Sequence, residues 1–215
     1  MTSPAGGDLF RDPEPPELGD GDIPSSSRTV IEWVLVVAGA VAVALLIKTF
    51  VLQAFFIPSE SMSPTLLIGD RVLVNKLSYR LHDVNRGDVV VFERPPGETN
   101  ELVKDLIKRV IGLSGDSITF GPTDHRVYVN GQPLDEPWLQ PGVQTLERES
   151  GSGRGTYTHL CSADDPCVVP DGDVWVMGDN RTNSEDSRYF GPISKDLIVG
   201  RAFVIVWPLN RFGGI

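Results

Sequence analysis

The stretch that most limits how this chain can fold is TVIEWVLVVAGAVAVALLIKTFVLQAFFI, in which no charged residue occurs from Trp33 to Ile47. As a helix, Val30 to Ile47 rises roughly 27 Å, close to the thickness of a bilayer's hydrocarbon layer. A buried core helix is a poor alternative, because one small domain can hardly cover a helix that is apolar on every face. A cleaved secretory leader fits no better, since the stretch begins deep in the chain and lacks a basic segment before it. The expectation is a retained transmembrane helix over 29–48, with Lys48 reaching from its far end to the lipid boundary. Arg28 alone on the near side leaves the orientation open on charge.

Residues 1–28 are rich in Pro, Gly, Ser and acids. So few apolar groups cannot offset the entropy of ordering, and an acidic disordered tail is predicted. The whole chain of 215 residues carries 19 Lys and Arg against 29 Asp and Glu, a net charge of −10. It has no basic block to neutralise a row of phosphates, so no nucleic-acid partner is expected. The run Ala202 to Leu209 is too short for a second span and reads as a buried strand.

From Pro58 onward, short Val- and Ile-rich runs alternate with Gly, Asn, Asp and Pro: DRVLVNKL, DVVVFER, LIKRVIG, SITF, RVYVNGQPL, DVWVMGD and GRAFVIVW. This spacing predicts a mostly β domain over 49–215. Asn130-Gly131 marks a two-residue hairpin turn, because both central positions need positive φ. Residues 142–171 break the pattern with a polar, Gly- and Ser-rich stretch, read as a surface excursion. It holds the only cysteines, Cys161 and Cys167. A local disulfide is plausible if the domain lies outside the cytoplasm, and two free thiols are the alternative. No C-x-x-C pair or clustered ligand set appears, so no metal or organic cofactor is expected.

The segment IPSESMSPTLLIGD sets Ser59 and Ser61 two apart, which in extended chain puts both hydroxyls on one face. One can attack while the other, with a backbone N–H, steadies a developing oxyanion. The attacking serine needs a proton acceptor. His82, His125 and His159 all sit in polar, loop-like contexts that suit solvated side chains. A lysine serves only when neutral, and with an ordinary pKa roughly one in a thousand is neutral near pH 7.4. Lys76, Lys104 and Lys195 lie in polar surroundings, the last two beside aspartates. Lys108 in DLIKRVIGLSGD differs. In a strand it shares a face with Leu106 and Val110, with the cation of Arg109 next in sequence, and burial plus that charge would depress its pKa.

Together these segments resemble the bacterial type I signal peptidases, membrane-bound Ser/Lys proteases that remove secretory signal peptides. IPSESMSPTLLIGD is similar to that family's nucleophile box, which implies Ser61 as nucleophile and Ser59 as oxyanion-hole hydroxyl beside the Ser61 N–H. RGDVVVF resembles its structural strand box. LIKRVIGLSGD resembles its lysine box and implies Lys108 as general base. GDNRTNSEDSRYFG resembles its last box, implying that Ser184 orients the lysine while Asp179, Asp186, Arg109 and Arg188 form supporting ion pairs.

The resemblance also implies a signal-peptidase-like antiparallel β-sheet catalytic domain after one N-terminal transmembrane helix. It implies cleavage after small residues in an A-x-A pattern, with Ile57, Pro58 and Ile107 lining the pockets. The tail would be cytoplasmic and the β domain extracytoplasmic, with TFVLQAFFI near the lipid surface. The implied partners are the signal peptides of secretory preproteins and the lipid bilayer, met by a monomer. Two competing readings are a self-cleaving Ser/Lys repressor domain, which lacks a membrane span, and a catalytically dead membrane-tethered scaffold, which has no need of Ser61, Lys108 and Ser184 together.

Overall fold

In the computed structural model, residues 26–96, 104–145, 157 and 160–215 are described. Two compact units divide between Ala44 and Leu45. In the first, α1 (Ser26–Phe50) is a continuous helix that extends into the start of the second. Its described side chains from Thr29 to Leu45 are all exposed. Those at 46 and 47, within the expected span, and at 49 and 50, just beyond it, lie outside the described residues. Among the described residues no helix is long and apolar enough to cross a membrane. The predicted tail also falls outside them, apart from Ser26, Ser27 and Arg28 at the start of α1.

Among the described residues, the second unit holds twelve strands, two single-turn α-helices and two short 3-10 turns (Lys195–Leu197 and Leu209–Arg211). In chain order these are β1 (Leu52–Phe56), β2 (Arg71–Asn75), α2 (Ser78–Leu81), β3 (Val89–Glu93) and β4 (Asp105–Leu113). β5 (Ser117–Phe120), β6 (Val127–Val129), β7 (Gln132–Pro133), β8 (Cys167–Val168) and β9 (Asp173–Met177) follow. The chain ends with α3 (Ser187–Phe190), β10 (Ile193–Ser194), β11 (Ile198–Trp207) and β12 (Gly213–Gly214). The larger sheet runs β1-β2-β11-β3-β4-β9-β10, with β12 added against β11, and the smaller runs β7-β6-β5-β8. Every pairing is antiparallel.

Strand alternation divides the core. Val89 and Val91 of β3 pack with Ile57, Met62, Leu66 and Ile107, while Val90 and Phe92 pack with Val110, Val176 and Phe190. A third cluster under the smaller sheet holds Ile111, Ile118, Val127 and Trp175. The hairpin turn forms where the sequence puts it: Asn130 and Gly131 have φ of 52° and 74°, and Val129 pairs with Gln132.

Part of TFVLQAFFI adds a strand to the domain: Leu52–Phe56 is an edge strand in register with Arg71–Asn75. One expectation changes. In the expected excursion, Thr145, Cys161, Cys167 and Val169 are buried. Cys161 and Cys167 form a disulfide inside the third cluster, and β8 completes the smaller sheet. The apolar disulfide fills core volume that a polar loop could not. Residues 146–156, 158 and 159 of that segment lie outside the described residues.

Candidate active site

Between β1 and β2 the chain makes a closed turn from Ile57 to Asp70. Ile57 N–H donates to Asp70 O, and Gly69 N–H donates back to Ile57 O, both at 2.9 Å. The buried Asp70 carboxylate accepts from Leu67 N at 2.8 Å and from Arg211 Nε at 3.0 Å. Met62 and Leu66 plug the turn into the core with no exposed surface. Apolar anchoring on one side and a half-buried ion pair on the other hold Ser59 and Ser61 at the rim. Their hydroxyl oxygens lie 3.4 Å apart.

Lys108 sits mid-strand in β4, opposite Val90 of β3, and is 3% exposed. Its Nζ lies 2.8 Å from Ser61 Oγ and 3.0 Å from Ile107 O. Burial lowers its pKa to about 8, outweighing the carboxylates of Asp186, Glu185 and Asp179, which act to raise it. The cation that assists the lowering is Arg94, just past β3, and not Arg109 as its sequence position suggested. Arg109 is engaged elsewhere: its Nε and Nη2 donate to the two oxygens of Asp179 at 2.9 and 2.7 Å. Alternation explains this, since Arg109 points to the opposite face from Lys108.

The segment from Gly178 to Gly191 closes the site. Asp186 caps α3 by accepting from Arg188 N, and it also accepts from Arg188 Nε and Nη2, both at 2.9 Å. Gly178 N–H donates to it at 3.0 Å. Burial alone raises the Asp186 carboxyl, and these donors outweigh it and hold the pKa below the ordinary range. Asp179 accepts from Thr65 Oγ1 as well as Arg109, tying the segment to the Ser61 turn. All four predicted ion-pair residues are thus brought together in two buried pairs.

Ser184 is buried beside them, without a hydrogen-bond partner within normal geometry, although it is close enough to Asp186 to help lower that carboxyl's pKa. No hydrogen bond joins it to Lys108. A side chain at Gly178 would meet Ser184 Oγ at 2.2 Å and Ser61 O at 2.3 Å, so only glycine lets the two turns approach this closely.

A cleft of about 240 Å³ runs beside Ser61, with Pro58, Leu106 and Phe190 as its apolar wall and Ser59, Lys108 and Asn183 among its polar lining. Of the pocket residues expected from sequence, Pro58 is in that lining. Ile57 and Ile107 instead pack in the core cluster with Met62 and Leu66. Ile107 lies one residue out of phase with Lys108, so it is Leu106 that shares the cleft face. The two described histidines are not in the lining of this cleft. His82 Nδ1 is paired with Asp83 O, His125 sits in a turn of positive φ, and His159 lies outside the described residues.

A family model described as signal peptidase, peptidase S26, matches residues 30–207. The chain belongs to this family. It is 38% identical over 204 residues to a signal peptidase I of Leptolyngbya laminosa, spanning 93% of this chain and 90% of that one. It is 41% identical over 175 residues to a probable signal peptidase I-2 of Synechocystis, spanning 81% and 72%. A crystal structure of a signal peptidase I from Enterococcus faecalis is similar at a TM-score of 0.41 and 26% identity, over 56% of this chain and 97% of that one. The protein is a signal peptidase enzyme, a peptide hydrolase acting on the signal peptides of secretory preproteins.

Sequence reasoning left Asn180 without a role. In the site, its N–H donates to Ser61 O at 3.1 Å and its Nδ2 to Glu60 O at 3.2 Å, pinning the Ser61 turn from the far side. Its position directly after Asp179 was the available signal. The buried Arg181 was also missed; it binds Glu136, Thr145 and Gly178 O and joins the segment to the stretch that follows β7.

Proposed function

We propose that this signal peptidase is a membrane-anchored, monomeric Ser/Lys endopeptidase in which Ser61 attacks and Lys108 is the general base. The observation that carries the reading is the 2.8 Å approach of a buried, pKa-depressed Lys108 Nζ to Ser61 Oγ. The neutral amine accepts the Ser61 proton as Oγ bonds to the scissile carbonyl carbon. The Ser59 hydroxyl and the Ser61 N–H donate to the oxyanion. The tetrahedral intermediate then collapses, and the Lys108 ammonium passes its proton to the leaving amine of the mature chain. Water, deprotonated by Lys108, next attacks the acyl carbon; as the bond to Ser61 Oγ breaks, the Lys108 ammonium returns its proton to that oxygen, freeing the signal peptide and restoring Ser61 and the neutral amine.

Ser184, buried close to Asp186, is the residue assigned to orient Lys108, and the pairs Arg109–Asp179 and Arg188–Asp186 hold the two turns in register. The limited cleft, with Pro58, Leu106 and Phe190 along it, favours small side chains before the scissile bond and so supports A-x-A specificity. Ile57 and Ile107 shape that floor from beneath.

The membrane anchor is assigned from sequence to the segment 29–48, which falls within α1. Its uncharged run from Trp33 to Ile47 gives it no polar face to show water. A second lipid contact is the edge of the larger sheet, where Phe56, Trp207, Leu209 and Phe212 are each more than half exposed. Phe56 and Trp207 flank Arg71 in one cross-strand row. Exposed apolar patches of this kind mark protein or membrane contacts. The Cys161–Cys167 disulfide supports an extracytoplasmic β domain and hence a cytoplasmic tail.

Incubating the full-length protein in detergent with a preprotein, and sequencing the new N-terminus, tests the reaction. Cleavage directly after A-x-A is expected, and loss of cleavage when the last alanine becomes phenylalanine. Equal cleavage of both would remove the specificity assigned to the cleft.

Because only neutral Lys108 accepts a proton, kcat/KM rises with pH and levels off above about 8, where burial has brought its pKa. A limb near 10.4 would show that Lys108 is not depressed, and one near 6.5 that a histidine is the base. Ser59→Ala is expected to lower kcat by roughly 10² to 10³ with little change in KM, the loss that follows from removing one oxyanion donor. A rise in KM alone would make Ser59 a substrate-positioning group.

A further inference from the structure

Charged groups approach Lys108 from several elements, and most are already engaged. On its own strand, Arg109 is held by Asp179 through two hydrogen bonds. In the segment leading into α3, Asp186 is held by Arg188 and by Gly178 N–H. The ionisable groups that line the cleft together with Lys108 are Glu60 from the Ser61 turn, Arg94 from just past β3, and Glu185 from the segment before α3. Glu185 is exposed, and among the described residues it makes no hydrogen bond or ion pair. Its charge is therefore compensated by no fixed partner there, whereas a change at Asp186 removes the carboxylate that accepts from Nε and Nη2 of buried Arg188.

We propose that Glu185 is a positioning residue that acts on the reaction through Lys108: its carboxylate in the cleft wall favours the charged ammonium over the neutral amine and so sets the pH range in which the enzyme works. The proposal rests on the reading of Lys108 as general base. Burial is the main influence lowering the Lys108 pKa, and against it Asp186 and Glu185 act to raise it while Arg94 acts to lower it. Removing the Glu185 charge takes away support for the ammonium. The neutral amine then appears at lower pH, and the limb of the rate profile moves towards acid. Removing the Arg94 charge does the reverse. Glu185 thereby holds activity below its maximum at neutral pH.

The test is the pH profile of kcat/KM for preprotein cleavage by the full-length enzyme in detergent. It compares wild type with Glu185→Gln, Glu185→Asp, Arg94→Gln and Lys108→Arg. Glu185→Gln is expected to shift the limb to lower pH by roughly 0.3 to 1 unit, as suits an exposed charge acting through partly wet surroundings. Below the limb this is about a two- to tenfold gain in rate. Glu185→Asp should keep the limb near wild type, and Arg94→Gln should move it to higher pH. High salt should shrink the difference between wild type and Glu185→Gln. A limb left in place by Glu185→Gln, with or without a uniform fall in rate, overturns the proposal alone, as does a shift in the same direction for Glu185→Gln and Arg94→Gln. Cleavage retained by Lys108→Arg overturns the general-base reading beneath it.

Discussion

Lys108→Arg and Ser61→Ala are each expected to lower preprotein cleavage by roughly 10⁴-fold or more while leaving a folded protein, the scale seen when a nucleophile or its base is lost. Ser61 is only partly buried, and its hydroxyl is bonded to Lys108 and Ser59, so the change to alanine removes chemistry and little packing. Arginine stays protonated at any working pH and cannot take the Ser61 proton. Its larger head group also crowds the buried site, so Lys108→Met is the control: it nearly preserves the volume of the side chain and supplies no base. Thermal unfolding near that of wild type, with cleavage lost in all three variants, is the expected pattern. Near-normal turnover in Lys108→Arg or Lys108→Met would remove Lys108 from the mechanism, and in Ser61→Ala would remove the nucleophile.

Where local chemistry decides the outcome, the sequence was readable. Asn130-Gly131 forms its hairpin because few other residues accept positive φ at both positions. Lys108 is buried because strand alternation puts it on one face with Leu106 and Val110, as DLIKRVIG suggested. That Arg109, Asp179, Asp186 and Arg188 form ion pairs was legible only through the family resemblance, and which acid meets which base was not, because 70 residues separate Arg109 from Asp179.

What escaped was set by long-range packing. Leu52–Phe56 merges with the apolar run before it, so nothing local marks where the helix stops and the edge strand begins. Arg94, and not Arg109, is the cation that helps lower the Lys108 pKa, since neighbours in a strand point to opposite faces. Ile57 and Ile107 fall on the core side for the same reason. The burial of Cys161 and Cys167 could not be read from a segment whose composition is that of a loop.

The second large effect concerns stability. Asp179 is 1% exposed and Arg109 5%, and the pair is fixed by two hydrogen bonds. Arg109 also donates to Gly87 O at 2.8 Å and lies 4.7 Å from the ring of Trp138. Asp179→Ala leaves this guanidinium buried without its counter-charge and Thr65 Oγ1 without its acceptor. Breaking a buried pair in this way costs about 3 to 5 kcal/mol, because the remaining charge has been desolvated for nothing. For a chain of this size that corresponds to a fall in Tm of roughly 6 to 20 °C. Changing both partners, as Asp179→Leu with Arg109→Met, is expected to recover much of that loss, since two apolar side chains need no mutual charge. Activity should not recover with stability, because the Thr65–Asp179–Arg109 link that aligns the Ser61 turn with β4 is still absent. Thermal unfolding and cleavage measured on the single and double variants separate the two roles. A double variant as unstable as Asp179→Ala would show that the pair contributes packing shape more than charge compensation, and a fully active one would show that the Ser61 turn is held in place without it.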